Sequence, residues 1–257
     1  MGTITVGGAA RQALGPVGAF LPVSMTSTPP AGLQREAVGR LERAGYRAAW
    51  TNEALGGKDA LVQLAVLLAA TERMAFGTGI ANIWAREPQT AHGAAALLAQ
   101  AYPGRIVLGL GVGYPEQAAS TGRAFGRPLA TMRDYVDRMA APAQPPAPDV
   151  AYPRIIAANG PKMLALAAEI ADGAIPALRP PEFTAQARQV LGPDKLLVAG
   201  LRVAAGADSD PVAMAARVRE HLAAGADHVT LMLPIGTDYA AGVDQLEQLA
   251  PVLSEVA

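Results

Sequence analysis

Five stretches of the chain share one punctuation: a helical pattern stops on glycine, and a strand begins within a few residues. In LQREAVGRLERAGYRAAW, Leu33, Val38, Leu41 and Ala44 fall on one helical face, Gly45 ends the helix and a strand follows. In VAMAARVREHLAAGADHVTLML, Asp210 caps the helix, Pro211 occupies its first turn, Gly225 ends it and a strand begins at His228. LAQAYPGRIVLGLG, AAEIADGAIPAL and VLGPDKLLVAGL repeat the device. Such alternation of strand and helix argues for parallel βα units. The pattern predicts eight strands, near 17–23, 46–52, 74–82, 105–111, 154–158, 173–177, 196–203 and 228–233. With 257 residues the chain has the length of a closed (β/α)8 barrel, typically about 250 residues. No linker divides it, so residues 1–257 are expected to form a single α/β domain of the TIM type. The Pro-rich PAQPPAP at 142–148 reads as a stiff surface connection.

The composition removes several kinds of chemistry. There is no cysteine, so disulfides, thiolate metal sites and cysteine nucleophiles are excluded. A net charge of −1 without basic runs leaves no footprint for nucleic acid or an anionic membrane surface. No apolar run approaches the roughly 18 residues of a membrane span, and the N-terminus lacks a secretory pattern. A cytoplasmic protein is expected. His92, His221 and His228 lack metal-ligand spacing, no G-x-S-x-G elbow is present, and neither Lys162 nor Lys195 lies within a strand. A bound organic cofactor is the natural carrier of any chemistry.

Barrel enzymes work where strands end and the following loops begin, which directs attention to a few residues. After the fifth strand, the turn through Asn159 and Gly160 enters a helix at Pro161. It either offers backbone N–H groups and a helix dipole to an anion, with Lys162 adding charge, or is an ordinary capped turn with a solvated lysine. RIVLGLGVGYPE carries Gly109, Gly111 and Gly113 without the spacing of a dinucleotide fingerprint. Those glycines either let a flat ring lie against the backbone or relieve crowding in the barrel. Glu53, closing the second strand, either accepts a proton, holds a ring N–H or orients a substrate, or is a solvated loop charge. Arg202 stands alone in the apolar LLVAGLRVAAG; outward placement beneath a helix ranks first, pairing with a buried acid second and access to the cavity third. FGTGIANIW, residues 76–84, interrupts a strand-like run with Gly77 and Gly79, the mark of a bulge or close backbone approach.

Taken together and in order, ALVQLAVLLAATERMAFGTGIANIWAREPQTAH, AYPGRIVLGLGVGYPE, RPLATMRDYVDRM, AANGPKMLALAAEIADGAIP and HLAAGADHVTLML resemble the luciferase-like oxidoreductases. The similarity is closer to the branch associated with the deazaflavin coenzyme F420. The resemblance implies a TIM-type barrel with an isoalloxazine-type ring at its C-terminal mouth. It also implies a non-prolyl cis peptide at Gly79–Ile80, forming with Ala81 and Asn82 a bulge behind the ring. Cofactor contacts then fall on Gly79, Ile80, Ala81, Asn82, Gly111, Gly113, Asn159, Gly160, Pro161 and Lys162. Glu53, Asn82 and Tyr114 are the candidates for proton handling or ring polarisation, and Asn82, Trp84 and Arg86 are expected to reach over the mouth.

The implied activity is hydride transfer between F420 and a small organic substrate, by a homodimer. An FMN-dependent monooxygenase, an inactive cofactor-binding paralogue and a phosphosugar isomerase or aldolase are the alternatives. The chain also departs from the family. It has Glu53–Ala54 where sugar-phosphate dehydrogenases carry an acid–histidine pair, and Gly113–Tyr114 where relatives often have Ser-His. Only AAGADSD at 204–210 stands where relatives carry a long insertion after the seventh strand.

Overall fold

Every strand ladder in the computed structural model, which describes residues 6–204 and 210–256, is parallel. The strands are β1 (Val17–Phe20), β2 (Ala48–Thr51), β3 (Ala75–Thr78), β4 (Ala81–Asn82), β5 (Ile106–Gly111), β6 (Arg154–Ile156), β7 (Gly173–Ala174), β8 (Leu196–Arg202) and β9 (His228–Met232). Their order is β3-β2-β1-β9-β8-β7-β6-β5-β4, with β3 also paired to β5. Since β3 and β4 share β5 as partner, they are two halves of one strand, and the sheet closes as an eight-stranded barrel. The third strand expected over 74–82 is present as these two halves, and the expected break falls at Gly79–Ile80, whose peptide bond is cis.

Helices α2 (Ala31–Arg43), α3 (Ala60–Leu68), α4 (Pro88–Ala101), α6 (Pro128–Met139), α7 (Pro161–Ile170), α8 (Pro181–Leu191), α9 (Pro211–Ala223) and α10 (Tyr239–Gln248) form the outer ring. Short helices α5 (Pro115–Ser120) and α11 (Pro251–Glu255) complete the set. The Asp210 cap and the Gly225 stop of α9 lie where the sequence puts them. On α2 the buried face is Gln34, Ala37, Val38 and Leu41, so glutamine takes the place expected for Leu33. Gln34 is tolerated there because it is paired: it donates to the Pro29 carbonyl and accepts from Gln63, which accepts from Thr51. The sequence pattern did not reveal α1 (Val6–Leu14), which puts Ala10 and Leu14 into the interior cluster at the N-terminal end of the barrel. The shortened connection at 204–210 lies largely outside the described residues. No helix among the described residues is long and apolar enough to cross a membrane.

The alternation of side chains along each strand divides the core in two. Ala49, Phe76, Leu108, Leu197 and Val229 face the helices, whereas Ala48, Trp50, Val107, Ile155, Leu196 and Val198 fill the barrel. The interior is dominated by a pair that crosses β1: the Trp50 indole N–H on β2 donates to His228 Nε2 on β9 at 2.9 Å. The other ring nitrogen, Nδ1, meets the Gly15 carbonyl at 2.7 Å and must carry the proton. Both rings need room that neighbouring strands supply. A Cβ on Gly18 of β1 would come within 2.6 Å of His228 Nε2, and one on Gly77 of β3 would overlap the Trp50 ring.

Complete burial pushes the His228 pKa down to about 4. Because the unfolded chain takes up this proton at an ordinary histidine pKa near 6.5, the stabilisation is full above that pH and is lost as pH falls toward 4. The shift corresponds to about 3 kcal/mol. We predict that denaturant melts of the wild type lose stability across this window more steeply than those of His228→Leu. That variant is less stable at pH 7 by about 1–3 kcal/mol, since it leaves the Trp50 N–H unpaired. Gly77→Ala should cost at least about 1–3 kcal/mol through overpacking against Trp50. A double-mutant cycle with Trp50→Phe should show coupling above about 0.5 kcal/mol; additivity would mean that the two sites do not meet.

Candidate active site at the barrel mouth

At the C-terminal ends of the strands two cavities lie side by side, of about 780 and 380 Å3, sharing Phe20, Gly79 and Met232. The wall between them is held by Glu53, which itself lines the larger cavity. This carboxylate is 8% exposed, and both its oxygens are engaged. Oε1 accepts from the Ala60 N–H at 3.1 Å and pairs with Arg86 at 2.7 Å, while Oε2 accepts from the Asn82 N–H at 2.7 Å. Arg86 also pairs with Asp59, the N-cap of α3. Burial works against the Arg86 charge, but Asp59 and Glu53 outweigh it and hold its pKa above the ordinary value. One carboxylate thus ties the end of β2 to β4 and to the start of α3. Lys58 lies close by, donating to Asn52 Oδ1 at 2.7 Å, and burial lowers its pKa to about 8 against the opposing pull of Glu53.

Asn82 continues the same framework. Its Oδ1 accepts from the Trp84 N–H at 3.0 Å, and its Nδ2 donates to Gln117 Oε1 at 3.1 Å. Gln117 Oε1 accepts in addition from the Tyr114 N–H at 2.9 Å. Gly113 makes this possible: its φ is +56°, and a side chain there would displace Gln117. Trp84 donates its indole N–H to the Val112 carbonyl at 2.7 Å and packs on Phe125. The expectation that Asn82, Trp84 and Arg86 reach over the mouth is therefore corrected. All three are drawn inward by fixed partners and buttress the wall from its far side. Tyr114, in contrast, is 70% exposed at the edge of the smaller cavity.

The smaller cavity gathers Gly79, Ile80, Gly111, Gly113, Tyr114 and Asn159 from the expected set. Ala81 is buried behind it with Asn82. Ile80 stands against Gly111, where a Cβ would come within 2.6 Å of Ile80 Cγ1, so the glycine admits the isoleucine to this wall. Asn159 Oδ1 accepts from the Ala177 N–H at 2.9 Å, which fixes the loop ahead of α7. Gly160 and Pro161 then start α7, and no protein atom crowds the missing Gly160 side chain. The first-turn N–H groups of Lys162 and Met163 are those a helix leaves unpaired. Lys162 lines a surface groove between α6 and α7 with Arg133 and Glu169 and neither of the two mouth cavities.

Two further residues come out of the structure. Thr230 on β9 lines the smaller cavity, is wholly buried, and its hydroxyl has no hydrogen-bond partner among the described residues. Its signal in the sequence is parity: His228, Thr230 and Met232 alternate with Val229 and Leu231, which face the helices. The first-ranked placement of Arg202, outward beneath a helix, is corrected on the same ground. Arg202 shares the interior parity of Leu196 and Val198 and lines the larger cavity. Among the described residues no group of histidine and carboxylate side chains is arranged to hold a metal.

A family profile described as luciferase-like monooxygenase matches residues 17–192. A Mycobacterium tuberculosis (strain ATCC 25618 / H37Rv) protein named for coenzyme F420-dependent oxidoreductase activity is 31% identical over 180 residues, covering 58% of this chain and 52% of the relative. The chain thus spans about half the length of that relative. Among solved structures, an F420-dependent secondary alcohol dehydrogenase in complex with an F420-acetone adduct superposes with a TM-score of 0.76 at 16% identity, over 92% of this chain and 98% of the other. The oxygenating constituent of 3,6-diketocamphane monooxygenase from Pseudomonas putida, in complex with FMN, superposes with a TM-score of 0.67 at 11% identity, over 92% and 98%. At these identities the structural likenesses establish the fold, and the profile match establishes the lineage: the chain belongs to the luciferase-like monooxygenase family.

Proposed function

We propose that the chain is an oxidoreductase that holds the deazaflavin coenzyme F420 in the smaller cavity and passes a hydride between it and a small organic substrate in the larger one. The observation that carries this reading is the buried, unpartnered Thr230 hydroxyl on the lining of a cavity whose apolar walls include Ile80, Val112, Ile175 and Met232, with Tyr114 and Asn159 at its polar positions. A mainly apolar slot with an orphaned hydroxyl suits a flat ring with a hydrogen-bonding edge, because a bare hydroxyl there costs about 1–3 kcal/mol. The bound ring supplies the hydride chemistry.

The residues of the chain do the rest. Gly79, Ile80 and Gly111 form the supporting wall, and Gly113 holds the adjoining turn. Glu53 and Asn82 keep that wall in place as positioning residues, since their polar atoms are already committed to Arg86, Trp84 and Gln117. Tyr114 is the candidate at this edge with an exposed side chain, and we assign it the hydrogen bond or proton at the rim. The start of α7 at Gly160 and Pro161 presents first-turn N–H groups to a cofactor phosphate. FMN remains the second reading, favoured by the FMN complex with the same fold.

Titration of the purified protein separates the two: F420 should bind more tightly than FMN, and the reverse order overturns the F420 assignment. Thr230→Val, nearly isosteric, should weaken cofactor binding by about 10-fold while leaving the melting temperature within a few degrees. Unchanged affinity would remove Thr230 from the site. Glu53→Gln should destabilise the fold by about 1–3 kcal/mol, because it removes one of the two charge partners of half-buried Arg86 and leaves Asp59. If Glu53 only positions the wall, this variant lowers cofactor affinity without moving the pH profile of turnover. A displaced profile would instead mark Glu53 as a proton carrier.

A further inference from the structure

The described lining of the larger cavity holds one cation, Arg202, and two carboxylates. Glu53 is committed to Arg86 and two backbone N–H groups, and Glu116 is exposed on α5. Arg202 pairs in register with Met232, which belongs to both mouth cavities, and lines the larger cavity together with Met232 and Gly79. Arg202 also lines a neighbouring groove of about 370 Å3, which holds Arg179, Arg217, Glu220 and His221. Arg217 donates to the Arg202 carbonyl at 3.1 Å, and Arg179 lies 4.6 Å over the Phe183 ring. None of the three arginines has an ion-pair partner among the described residues. The remaining rim is mixed: the hydroxyls of Ser24, Thr26 and Ser27 bond among themselves, and beside them Met25 and Ile235 are 73% and 71% exposed, while Leu178, at a φ of +56°, is 42% exposed.

We propose that the larger cavity takes an organic acid with an apolar body, its carboxylate on Arg202 and its body along Met25, Leu178 and Ile235. A planar guanidinium matches a carboxylate with two parallel N–H donors, and at that end three arginines outnumber the one carboxylate, Glu220. This substrate class rests on the preceding reading that the adjoining cavity holds the cofactor. An anionic arm of the cofactor is the other source of the same chemistry, and the test separates them.

Cofactor-free protein is titrated calorimetrically with 4-phenylbutanoate and, separately, with 4-phenylbutanamide. The acid should bind at least about 10-fold more tightly than the amide, the worth of a charge-assisted pair. Arg202→Met should bring the ratio to about 1 without changing the amide's affinity, and Arg202→Lys should keep part of the preference. Equal affinities in the wild type, no binding of the acid at millimolar concentration, or a preference that survives Arg202→Met each overturns the proposal. F420 affinity should be unchanged by Arg202→Met; a 10-fold loss would give the guanidinium to the cofactor and overturn the substrate assignment. The acid and amide are read without cofactor, so failure of the wild type to bind F420 would sink the functional reading and leave this outcome legible.

Discussion

The hydrogen bond from Trp50 to His228 spans a whole strand, and the barrel is built around it. β2 and β9 both flank β1, so the two rings meet only by passing over Gly18. The indole continues across β3 at Gly77, so four strands are registered by one bicycle and one imidazole. With one imidazole nitrogen accepting from Trp50 and the other donating to Gly15, the tautomer is fixed, and a proton added to His228 has no acceptor to meet. A dry interior of this kind tolerates a polar pair only when every donor and acceptor is matched.

Above that layer the structure changes character. Toward the mouth, polar atoms hold backbone rather than fill volume, and Glu53 does this for three elements at once. The site wall is therefore rigid on its far side and bare on its near side. Where the interior is saturated, the cavity lining keeps a hydroxyl at Thr230 and a guanidinium at Arg202 without partners among the described residues. The Tyr239 hydroxyl on α10 is also buried without a partner among the described residues but lies outside both cavity linings, so an orphaned polar group marks the site only where it also lines a cavity.

That contrast explains what the sequence could convey. Helix caps and stops are local, so Asp210, Gly225 and the repeated βα units were legible, and with them the closed barrel. The position of the strand break at Gly79–Ile80 was legible too, through the resemblance carried by FGTGIANIW. Partners far apart in the chain were not. Nothing near Glu53 announces Arg86 or the Asn82 N–H, and nothing near Arg86 shows that its side chain turns back to a carboxylate 33 positions earlier. Thr230 and Arg202 were open to a parity argument along their strands, since a barrel interior is a two-residue repeat as regular as any helix face. The N-terminal helix α1 escaped because nine residues with three buried positions give too short a pattern to read.

The chain has two tryptophans, and their indole N–H groups are anchored in different places. Trp50 bonds to an imidazole in the sealed interior, whereas Trp84 bonds to the carbonyl of Val112, a residue that lines the smaller cavity. The molecule thus carries two optical reporters that differ in what they see. One indole follows the integrity of the barrel and the protonation of His228, and the other follows what happens at the mouth. Emission resolved into those two components reads scaffold and site separately in a single unlabelled sample.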